Sequence, residues 1–181
     1  MNDIKLTSQD AENFYNSVYK NLYNDSNYLE THSHLKSKIS SVLGQNDVLA
    51  TKQLEYYPLS MDFFKIANDK KINPEVLINY IGVSPELWTA WVDSYNAGNI
   101  KTPVTLNKDI IKKMSVFVLK DRVSNYIADN QIDIATVNKD EIINNVINDE
   151  KKYKTGDTQP TKPESRVKKI KPWVWFFIVS I

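Results

Sequence analysis

The sequence predicts an all-α helical bundle, followed by a basic disordered linker and an apolar C-terminal segment. Three observations carry that expectation. Branched residues such as Ile110, Ile111, Val118 and Val123 recur at helical rather than alternating spacing. No Asn-Gly or Asp-Gly pair joins alternating runs, so hairpin signals are missing. Hydrophobic residues at 41% and charged residues at 25% of 181 positions lie near the globular average, which suits one core with appendages and excludes a polytopic membrane protein.

Residues 1–57 are expected to form an N-terminal helical region. Phe14, Val18 and Leu22 fall at steps of four, Leu35, Ile39 and Leu43 repeat the pattern up to Gly44, and Val48 to Tyr56 continue it. Tyr15, Tyr19, Tyr23 and Tyr28 flank that stripe, as core or as a docking face for a neighbouring helix. Residues 58–130 hold the most specific stretch of the chain and a long helix through Met114 and Val118 towards Ile127. Ile142, Ile143, Val146 and Ile147 mark a C-terminal helix within 131–150.

Charge divides the chain. Residues 1–150 carry 15 Lys and Arg against 20 Asp and Glu, whereas residues 151–172 carry eight bases against Asp157 and Glu164. With three prolines, one glycine and almost nothing apolar, 151–172 is expected to be a linker. Residues 173–181, WVWFFIVSI, are uncharged and supply about half the ~20 residues of a membrane span. Lys168, Lys169, Lys171, Trp173 and Trp175 are the membrane-proximal candidates, because bases face anionic headgroups and indoles settle at headgroup depth. Met1 to Asp10 is polar and no early apolar run follows, so the expected location is cytoplasmic, associated with the inner face of an anionic membrane through this tail.

The absence of cysteine excludes disulfides, thiolate metal sites and a cysteine nucleophile. His32 and His34 are the only histidines and cannot complete a metal site by themselves. No Ser/His/Asp arrangement, glycine-rich phosphate loop or carboxylate pair stands out. The expectation is a protein that is not an enzyme, with no cofactor and no metal.

Residues 63–106 carry a motif. Asn73, Pro74 and Glu75 follow the cap, proline, acid order that starts a helix, and Ser84, Pro85 and Glu86 repeat it. Between them Gly82 suits a sharp turn requiring positive φ, and Val83 can plug the crevice between the two helices. With Leu77, Ile81, Trp88 and Trp91 as internal positions, this stretch resembles the helix-turn-helix of Cro/repressor-type DNA-binding domains. Phe63, Phe64 and Ile66 resemble the buried side of that family's first helix, and Gly98, Pro103 and Leu106 the loop before its fourth. The family usually has a small residue where Ile78 stands.

The resemblance implies a transcriptional regulator that docks the helix from Pro85 in the major groove of double-stranded DNA, as a homodimer. Its DNA-facing positions would be Ser84, Pro85, Glu86, Thr89, Ala90 and Asp93. None is Arg, Lys, Gln or Asn, and Asp93 carries the wrong sign for a phosphate, so affinity must come from the flanks. Lys101, Lys112 and Lys113 are the principal phosphate candidates, with Lys65, Lys70, Lys71, Lys108, Lys120 and Arg122 beside them. Two alternatives use the same residues. The order of helix-turn-helix, basic linker and apolar segment is similar to the layout of RodZ-type proteins, which implies a membrane-associated protein-interaction module. A helical protein of a phage or mobile element, without DNA binding, would use the motif only as a packed helix pair.

Overall fold

The computed structural model describes residues 4–156. Most of the expected linker and all of 173–181, with Lys168, Lys169, Lys171, Trp173 and Trp175, lie outside the described residues. Among the described residues every regular element is helical, which agrees with the all-α expectation.

Thr7 and Asp10 form a capping box that opens α1 (Ser8–Phe14). The helix then widens into a π turn, Tyr15–Tyr19, in which the Lys20 N–H donates to the Tyr15 carbonyl at 3.1 Å. Phe14, Val18 and Leu22 are all buried, but through this π turn and a 3-10 turn at Leu22–Asn24 rather than along one regular helix. Asp25 caps α2 (Ser26–Thr31), and α3 (Ser33–Gly44) buries Leu35 and Ile39. Leu43, expected in the same stripe, falls in the last turn of α3 and is 49% exposed.

Asp47 starts α4 (Val48–Asp69) by accepting from the Leu49 and Ala50 N–H groups. This helix crosses the boundary expected between residues 57 and 58. Pro58 cannot donate to the carbonyl one turn back, yet it is buried and helix continues on both sides of it, because packing overrides the local signal. Two short helices follow, α5 (Pro74–Ile81) and α6 (Pro85–Asn96), then α7 (Lys108–Asp129), capped by Asn107, and α8 (Lys139–Thr155), capped by Asn138. Helix α8 runs five residues past the expected linker boundary at 151 and ends at Gly156 in left-handed conformation.

The two 22-residue helices α4 and α7 pack together at the centre. Helix α1 packs on α7, the π turn meets α4 and α8, and α5 meets both α7 and α6. A single hydrophobic cluster includes Phe14, Leu54, Phe63, Trp91, Val118 and Val146, so the segments expected at 1–57, 58–130 and 131–150 share one core. Tyr19 and Tyr28 belong to that cluster, and Tyr15 and Tyr23 pack against it.

Candidate nucleic-acid interface

The helix-turn-helix stretch is organised by its own caps. Asn73 Oδ1 accepts from the Glu75 N–H at 3.0 Å with Pro74 in the first turn, and Ser84 Oγ accepts from the Leu87 N–H at 3.2 Å with Pro85 next. Gly82 sits between the helices at φ +81°, and its N–H closes α5 on the Ile78 carbonyl at 2.8 Å. A Cβ there would meet nothing closer than Lys113 Nζ at 3.8 Å, so the glycine is required by backbone conformation, not by space. Gly82→Val is therefore expected to cost at least about 1–2 kcal/mol through left-handed strain, read as a lower melting temperature.

The motif's internal positions are filled as the spacing implies. Leu77, Ile81, Trp88 and Trp91 are buried, while Val83 and Ile78 are half-buried against the core. Trp88 and Trp91 meet Phe63 and Phe64 of α4, and Tyr95 stacks on Phe64 at 4.7 Å. This aromatic cluster anchors one side of α6. Tyr80 on α5 donates to the Lys113 carbonyl at 2.8 Å, tying the motif to α7, and burial pushes its phenol pKa up to about 12.

The opposite side of α6 is exposed. Ser84, Pro85, Glu86, Thr89, Ala90 and Asp93 all lie on it, with Leu87 42% exposed beside them. The Ser84 hydroxyl is engaged in capping, and Thr89 Oγ1 donates to the Pro85 carbonyl at 3.0 Å. Ala90 and Asp93 join Lys101 and Pro103 of the following loop around an open hollow, which brings Lys101 to this face. Lys101 also reaches Asp47 at 3.4 Å. Lys113 lies beside the Gly82 turn, paired with Asp109 at 3.0 Å, and Lys112 is exposed one residue earlier on α7. The loop thus supplies Lys101 to the face, and α7 supplies Lys113 beside the turn.

Two of the wider phosphate candidates are placed elsewhere. Lys70 pairs with buried Asp121, and Arg122 is enclosed by carboxylates: Nη1 lies 2.9 Å from Asp121, Nε 3.2 Å from Glu150 and Nη2 3.8 Å from Asp62. Lys65 forms an exposed pair with Asp69 at 2.9 Å. Arg122 and Lys70 are thus structural ions and are unavailable to a phosphate.

Arg122 belongs to a cluster that sequence reasoning missed. Asp62 Oδ2 accepts from the fully buried Tyr19 hydroxyl and from Lys154 Nζ, each at 2.6 Å, so three cations (Lys70, Arg122, Lys154) face three carboxylates (Asp62, Asp121, Glu150). Burial acts to raise the Asp62 pKa, but Lys154 and Arg122 outweigh it and hold the carboxyl below its usual range. Burial opposes the charge of Arg122 as well, and Glu150 and Asp62 more than compensate. Burial, with Asp62 alongside, pushes the Tyr19 phenol well up. A usable signal existed: Glu150 and Lys154 continue the Ile143–Val146 stripe at helical spacing, and Asp121 and Asn125 continue Met114–Val118.

Comparison with family models, characterised proteins and solved structures yields no match for this chain.

Proposed function

We infer that the protein is a helix-turn-helix DNA-binding protein, a transcriptional regulator that offers α6 to the major groove as part of a homodimer. The observation that carries this reading is the left-handed Gly82 turn between two capped, proline-started helices, with α6 anchored by Trp88 and Trp91 and its Glu86–Thr89–Asp93 side exposed. Glu86 can accept from a cytosine amine and Thr89 can meet a thymine methyl, while Lys101, Lys112 and Lys113 contact phosphates. A shift assay on genomic fragments at about 50 mM salt tests it. Changing Lys112 and Lys113 together to Glu is expected to weaken binding to all sequences alike and to flatten the salt dependence by about 1 for each lost phosphate contact. Glu86→Lys should raise general affinity, and Thr89→Ala should relax sequence preference. Absence of binding to any duplex would reject the reading.

The exposed Leu87, flanked by Glu86 with no cation among the exposed α6 side chains from Ser84 to Asp93, favours a second use of the same helix as a protein-docking surface. No helix among the described residues is long and apolar enough to cross a membrane. Attachment to an anionic membrane through residues 173–181 and the bases before them is part of the proposal, tested by flotation of the full chain with anionic vesicles.

A further inference from the structure

Between α7 and α8 lies a cavity of about 80 Å³ lined by Arg122, Asn125, Asp129, Asn130, Asp149 and Glu150, together with Tyr126 and Val146. Its chemistry is lopsided. Arg122 is the one cation of that lining, against the carboxylates of Asp129, Asp149 and Glu150. Asp129 and Asp149 on the cavity's rim are therefore in excess. The cavity also lies at the C-terminal end of α7, where the helix dipole adds negative potential.

A second observation points inward. Asn125 is only 8% exposed and its amide nitrogen donates to Asp121 Oδ2 at 3.3 Å, which leaves Oδ1 buried without a hydrogen-bond partner. A buried acceptor with no donor is costly and calls for one. Water would satisfy Asn125 but leave the excess negative charge unmatched. Among the described residues no three His, Asp or Glu side chains converge as metal ligands, so a divalent ion has no coordination shell here. A primary ammonium meets both requirements with three donors on one positive centre, and the volume accepts it with part of its alkyl stem.

We propose that this cavity between α7 and α8 binds a primary ammonium group, carried by a small free amine or by a lysine side chain of a partner. The proposal is independent of DNA binding. Melting of the full-length protein is measured with putrescine, with an Nα-blocked, C-terminally amidated lysine, and with NaCl and MgCl2 at matched ionic strength. The expected result is a rise of a few degrees with putrescine beyond either salt, and movement of the Asn125 side-chain amide resonances on titration. A response to the blocked lysine shows that the cavity admits a lysine side chain of a partner; a response to putrescine alone restricts it to a free amine. Asp129 and Asp149 are exposed, so changing both to Asn should leave the unliganded melt within about a degree and remove more than half of the amine response. An equal rise with MgCl2 or NaCl, an undiminished response in the double variant, or Asn125 resonances that do not move would overturn the proposal, leaving a water-filled cavity.

Discussion

Replacing Arg122 with methionine is expected to destabilise the fold by about 3–5 kcal/mol, because three carboxylates share this one guanidinium. The size follows from what would be left behind. Asp121 and Glu150 are only 4% and 3% exposed at their side chains, and both lean on the guanidinium. Their transfer out of water is compensated by Arg122, and removing it leaves two buried carboxylates with less positive charge nearby. Arg122→Lys should lose less, since charge is kept while the planar fork that spans Asp121, Glu150 and Asp62 is lost. Urea titration of the three proteins checks this; a loss below 1 kcal/mol for Arg122→Met would mean that water reaches the cluster freely. The sign with pH agrees. Asp62 has a folded pKa below its unfolded value, so its contribution is present above about pH 4 and disappears as pH falls through the folded pKa.

Trp91→Ala should cost a comparable 3–5 kcal/mol for a different reason. The indole is 1% exposed and packs edge-on to Phe64 at 5.0 Å and to Trp88 at 5.9 Å. Truncation would open a void against three rings that cannot all collapse into it. The same rings hold α6 to α4, so the variant should also lose near-ultraviolet circular dichroism and any binding that depends on the angle of α6. An unchanged melt together with an unchanged near-ultraviolet circular dichroism spectrum would contradict this packing.

The contrast between these two sites explains what could be read from the chain. The aromatic anchor was legible because Trp88 and Trp91 obey the spacing of an amphipathic helix and follow a cap, a proline and a turn glycine, all local rules. So was the all-α class. The buried cluster was only partly legible: Asp121, Asn125, Glu150 and Lys154 extend apolar stripes, but Lys70 and Arg122 look like solvated charges in sequence and acquire partners 51, 28 and 60 residues away only through tertiary packing. The π turn at Tyr15–Tyr19 was hidden for a related reason: apolar residues at steps of four read as one α-helix whether or not a residue has been inserted. The end of α8 was misplaced because Lys151, Lys152 and Lys154 belong compositionally to the basic stretch, although Lys154 turns inward to Asp62.

That inward turn bears on how the chain completes itself during synthesis. Asp62 receives Tyr19 from 43 residues upstream and Lys154 from 92 residues downstream. Translation delivers these partners in order, at roughly 5–20 residues per second. The tyrosine is available as soon as α4 emerges, but the lysine arrives only when the last described helix has cleared the ribosome. Until then Asp62 has the Tyr19 hydroxyl and, once α7 is made, Arg122, but lacks the cation that lies closest to it. The pairing of Lys154 with Asp62 is thus the latest of this carboxylate's contacts to become available, and it ties the last described helix back to α4.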